Sequence, residues 1–97
     1  MTFAPDEGIK KLCIDNMTQN LSVLRTMLHL SQAELASLIG VARSTIVYIE
    51  NRQRKMTWGT FLSLVFVFIQ NRETKELLEF FKIYPNELKE IYSDING

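Results

Sequence analysis

A single glycine at position 40 joins two short stretches, SQAELASLIG and VARSTIVYIE, in which apolar residues recur at helical steps. That joint constrains the fold more than any other feature of the chain. Helices this short are marginal in water and must lean on other elements. Ser31 followed three residues later by Glu34 is the reciprocal capping pattern that starts a helix. Leu35, Ala36, Leu38 and Ile39 then form an apolar stripe about one turn apart. Gly40 suits a left-handed residue just past a helix end, where a side chain would clash. Val41, Ile46 and Ile49 resume the stripe, while Arg43, Ser44, Val47 and Tyr48 fall on the outer side. The spacing predicts helices at 32–39 and 43–50, so the question becomes what that outer side touches.

The flanking sequence supplies the support. Ile14, Met17, Leu21, Leu24 and Leu28 recur at helical steps and predict a first helix over 17–28, with an earlier helical turn around Ile9–Ile14 left open. Residues 1–8, with Pro5 and Gly8, read as a loosely held lead. Thr57 is a cap for a helix over 58–69, WGTFLSLVFVFI, which is apolar almost all the way round. Its β-branched and aromatic residues favour strands, but no second alternating run offers a partner, so a helix buried on two sides is the better reading. Trp58, Phe66 and Phe68 cannot all point into one small core, so part of this helix should meet something else. Asn71 can cap a further helix carrying Leu77, Leu78, Phe80 and Phe81. Pro85 suits the first turn of a last one carrying Leu88, Ile91 and Tyr92. The expectation is an all-α, compact bundle of five or six helices. It divides into a lead segment 1–16, a central unit 17–70, and a C-terminal helical extension 71–97 packed on the same domain.

Ninety-seven residues suffice for one modest core. No apolar run reaches the length of a membrane span, and Asp6 and Glu7 precede any apolar run, so no membrane or signal segment is expected. The lone Cys13 cannot form an internal disulfide, which fits a cytoplasmic setting, and reads as a small half-buried helix residue. The net charge is zero, unlike the basic excess usual in nucleic-acid binders. Its distribution is uneven. Arg43, Arg52, Arg54 and Lys55 face only Glu50 between positions 43 and 55, whereas the stretch from Asn71 onward is mildly acidic.

Catalysis is poorly served. One histidine, His29, and one cysteine leave little for a metal cluster or a nucleophile–base pair, and the scattered glycines form no phosphate-cradling loop. No enzyme activity, cofactor or metal is expected. Two short helices on a tight glycine turn are instead the frame of a helix-turn-helix, whose second helix enters the DNA major groove.

Residues 21–66 resemble the Cro/repressor type of helix-turn-helix, the lambda-repressor-like family of phage and bacterial transcriptional regulators. The resemblance rests on Leu24-Arg25, Leu30-Ser31-Gln32, Glu34-Leu35-Ala36, Gly40-Val41, Thr45-Ile46 and Ile49-Glu50-Asn51. It implies base contacts from Arg43, Ser44, Val47 and Tyr48, and backbone contacts from Gln32, Asn51, Arg52, Arg54 and Lys55. It also implies an architectural pair, Arg25 with Glu50, beside the structural Ser31, Glu34 and Gly40. Three positions depart from the family. Ala42 replaces a common Ser or Thr cap, Arg52 a frequent glycine, so that Asn51 must tolerate the turn, and Met56 a frequent proline.

The function so implied is sequence-specific binding of double-stranded DNA as a transcriptional regulator, most simply a repressor. A homodimer on a palindromic operator is expected, because one recognition helix reads only a few base pairs. Leu77, Phe80, Phe81, Ile83, Tyr84, Leu88, Ile91 and Tyr92 are the expected dimer contacts, or else they complete the chain's own core. The alternative reading, drawn from the neutral charge and acidic tail, is a protein-interaction module, partner-neutralising or scaffolding, that keeps the fold.

Overall fold

The computed structural model describes residues 6–83, which form five α-helices. These are α1 (Glu7–Met27), α2 (Gln32–Ile39), α3 (Arg43–Glu50), α4 (Trp58–Ile69) and α5 (Arg72–Phe80). Four of the five starts are fixed by a side chain that satisfies an orphan backbone N–H. Asp6 accepts from Ile9 N at 2.8 Å, Ser31 from Glu34 N at 3.0 Å, and Thr57 from Thr60 N at 3.1 Å, while Asn71 accepts from Glu73 N and Thr74 N. Glu34 returns the favour to Ser31 N at 2.9 Å, closing the capping box. Only α3 lacks such a bond, because Ala42 occupies its cap.

The first helix corrects two expectations. It does not begin at 17 but runs unbroken from Glu7, and Asp6 is its cap rather than part of a loose lead. Its first half is held from the far end of the chain. Cys13 is buried, and the Asn16 amide donates to the Lys82 carbonyl at 3.0 Å. That contact lies 66 residues away in sequence, out of reach of any local pattern.

α1 and α4 sit at the centre, each packed on several others. α2 pairs with α3 and α4, and α5 lies against α1 and α4. Met17, Leu21, Leu24, Leu35, Ile46, Phe61, Leu64, Phe68, Leu78 and Ile83 are sealed from solvent in one continuous core. The buried Thr74 hydroxyl donates to the Phe68 carbonyl at 2.6 Å, tying the end of α4 to α5.

Two apolar residues of these helices stand exposed. Leu38 is 61% exposed and Phe80 76% exposed, whereas Ile39 and Val41 are half-buried at the edge of the core. α4 behaves as its composition demands. Phe61, Leu64, Val65 and Phe68 fill the core, and Phe66 on the opposite side is 65% exposed. The helix expected after Pro85, with Tyr84, Leu88, Ile91 and Tyr92, lies outside the described residues.

Four helices end alike, in a left-handed residue flanked by the paired bonds of the Schellman motif. At the end of α2 this residue is Gly40, with φ 76°; Val41 N donates to Ala36 O and Gly40 N to Ser37 O. At the ends of α1, α3 and α5 it is His29, Arg52 and Lys82, with φ near 60°. Asn51 itself has φ −84°, so Arg52, not Asn51, takes the strained turn.

Candidate nucleic-acid interface

α3 is placed by what its inner side buries. Ile46 and Ile49 are sealed against the core, which fixes the rotation of the helix about its axis. The other flank follows from helical geometry. Arg43 and Ser44 in the first turn are exposed, Val47 is half-buried, and Tyr48 is 47% exposed. The four stand as two i,i+4 pairs along one side, on a rod narrow enough for a groove about 12 Å wide. The exposed N-terminal turn also carries the positive end of the helix dipole.

The far end of α3 is locked by a charge network. Arg25 Nε donates to Glu50 Oε2 at 2.7 Å and Nη2 to Oε1 at 3.0 Å, a bidentate pair whose side chains are 14% and 8% exposed. Arg25 Nη1 also donates to the Leu30 carbonyl at 2.9 Å. Hydrogen bonds to Glu50 hold the Arg25 guanidinium above its ordinary pKa, against the opposing effect of burial. One network therefore joins the end of α1, the α1–α2 turn and the end of α3.

Gln32 belongs to the same network. Its amide donates to Glu50 Oε1 at 3.0 Å, which occupies one of its two N–H groups and fixes the side chain at the start of α2. The expected architectural pair is thus a triad.

Asn51, Arg52, Arg54 and Lys55 all lie exposed on the α3–α4 turn. Arg54 reaches back along α3, where Nη1 donates to Thr45 Oγ1 at 3.4 Å. Arg52 and Lys55 meet no carboxylate among the described residues. The structure brings Arg43, Ser44, Val47 and Tyr48 onto one flank, with the basic turn following the same helix.

Sequence reasoning missed a groove beside this turn. The first turns of α1 and the 52–58 segment enclose about 480 Å³, lined by Lys10, Lys11, Ile14, Met56 and Trp58 together with the loop cations. The signal was the adjacent Lys10-Lys11 pair ahead of Ile14. It becomes meaningful only once α1 is known to begin at Glu7. Among the described residues, no cluster of His, Cys, Asp and Glu is placed to hold a metal, and no helix is long and apolar enough to cross a membrane.

Comparison with known proteins matches residues 21–57 to the helix-turn-helix family model. No curated protein and no solved structure gives a significant match. The matched segment begins at the buried Leu21 of α1, takes in α2, Gly40, α3 and the basic turn, and ends at the α4 cap Thr57. Residues 21–57 therefore form a helix-turn-helix, consistent with the Cro/repressor type.

Proposed function

We propose that the chain regulates transcription by sequence-specific binding of double-stranded DNA, with α3 in the major groove. It acts as a repressor by occupying its site, in the cytoplasm, as a bacterial, phage or prophage regulator. The observation that carries this reading is the free Arg43–Tyr48 flank, held in one pose by the half-buried Arg25–Glu50–Gln32 triad. Arg43 makes a bidentate contact to guanine, and Ser44 and Tyr48 reach neighbouring base edges or phosphates. Val47 packs on a thymine methyl. The second N–H of Gln32, with Asn51, Arg52, Arg54 and Lys55, engages the phosphate backbone and sets the register.

The protein acts as a homodimer on a palindromic operator. Two exposed surfaces support pairing. Leu38, Leu62 and Phe66 form a face on α2 and α4 with no charged residue among its lining, and it shares nothing with the α3 flank. Phe80 stands out from α5. Leu77 and Phe81 are half-buried and Ile83 fully buried, so these three complete the monomer's own core rather than meet a partner.

Selection of bound duplexes from a random pool tests the reading. A palindromic consensus with half-sites about one helical turn apart is expected. Recovery of no consensus, with no binding to random duplex at low salt, would move the protein-interaction reading ahead.

A further inference from the structure

We infer that a sugar–phosphate strand of the bound duplex lies in the groove between the first turns of α1 and the 52–58 segment, with Lys11 as a phosphate contact. This footprint rests on the DNA-binding reading above and carries it onto α1 residues outside the matched segment 21–57.

The groove continues from the basic turn. Arg52, Arg54 and Lys55 line one wall, and the other carries Lys10 and Lys11 with Glu7 and Asp15. Five cations against two carboxylates make the cleft positive as a whole, which suits an anionic partner. Continuity with the turn favours an extended partner over a small one, because a duplex strand carries one charge about every 3.4 Å of helix axis. A strand engaged by Arg52 and Lys55 has further phosphates to offer the facing wall.

On that wall Lys11 is the available cation. The Lys10 ammonium lies 3.5 Å from Glu7 and 5.6 Å from the Trp58 ring centroid, so its place is taken. The Trp58 ring is engaged as well, stacked on Phe61 at 4.7 Å between centroids, and with the buried Met56 it closes the floor. Lys11 instead stands out, its side chain 71% exposed. Its 2.9 Å contact with Asp15 uses one of three ammonium N–H groups and leaves two for phosphate oxygens. An exposed i,i+4 pair is weak, and weaker with the lysine on the N-terminal side, as here. Helix polarity points the same way. The start of a helix favours anions, so fold stability gives no reason for two adjacent lysines so near the start of α1.

Anisotropy of a labelled pool-selected duplex and its scrambled counterpart is followed across a salt series, for the intact wild type and three folded variants. Lys11→Gln should weaken binding about two- to fivefold at fixed salt and lower the slope of log affinity against log salt by about one. Both duplexes should lose alike, because phosphate contacts carry no sequence information. Lys11→Arg keeps the charge and should keep the wild-type slope. Arg72→Gln removes a 92% exposed cation, likewise paired one turn on, from α5 away from the groove, and should also leave the slope unchanged. An unchanged slope in Lys11→Gln, an equally low slope in Lys11→Arg, or an equal fall in Arg72→Gln would overturn the footprint and leave the α3 reading standing. Failure of the wild type to bind either duplex at low salt would overturn that reading and the footprint with it.

Discussion

Arg52 combines a left-handed backbone with a place on the turn proposed to face phosphate. At φ 61° its side chain sits where the left-handed backbone favours glycine, and its charge lies on the proposed phosphate-facing turn. Arg52→Gly should raise unfolding free energy by about 0.5–1 kcal/mol in urea titrations, since relief of the left-handed strain outweighs glycine's extra unfolded-state entropy. The same change should flatten the dependence of log affinity on log salt by about one unit. Movement of both in the same direction would contradict the assignment. The Arg25–Glu50 pair is the opposite case, a contact whose loss strands a charge. Arg25→Met leaves a nearly buried carboxylate with only Gln32 beside it, so a loss of about 3–5 kcal/mol is expected from denaturant unfolding. Glu34 gives a pH signature. Hydrogen bonds from Ser31 hold its carboxyl below the ordinary value, so its stabilising effect is present above the usual carboxylate pKa near 4.3. That effect is lost as pH falls through the lowered folded value. The stability gap between the wild type and Glu34→Ala should therefore narrow below about pH 4.

At the scale of elements, α3 is the described helix with no side-chain cap, and its exposed start is the part proposed to face DNA. Ala42→Ser should stabilise the protein by about 0.5–1 kcal/mol, measured as an increased urea midpoint with unchanged slope. The bounds of α2, α3 and α4 are legible in the sequence because Ser31 with Glu34 starts α2, Gly40 separates it from α3, and Thr57 starts α4. The flank of α3 is legible too, because Ile46 and Ile49 alone can face inward. The start of α1 is not, since it is stabilised by packing against the chain's far end through Asn16 and Lys82. The exposure of Leu38 and Phe80 has a related reason: the narrow buried stripe of a short helix has no room for every apolar residue it carries.

For the whole molecule, one side of the bundle presents α3 and the basic turn, while α2 and α4 expose an uncharged apolar face. The near-zero net charge is therefore a sum of unlike regions rather than a description of the surface. The two pairing surfaces predict different variants. If α2 and α4 form the dimer, Phe66→Glu should yield monomers by sedimentation while Phe80→Glu leaves the dimer intact. The reverse result would place the contact on α5. The groove beside Trp58 was invisible to sequence reading because its two walls meet only in the folded chain, on an α1 that begins earlier than its strongest periodicity suggests.

The central claim is that the exposed flank of α3 reads base sequence while the following turn supplies charge. The direct measurement is the ratio of affinities for a pool-selected duplex and its scrambled counterpart, compared among wild type, Arg43→Ala and Lys55→Gln at fixed salt. Arg43→Ala should reduce that ratio by about 1–3 kcal/mol, leaving scrambled binding nearly unchanged, while Lys55→Gln should weaken both duplexes alike. An unchanged ratio in Arg43→Ala, with the variant folded and still bound, would contradict the account.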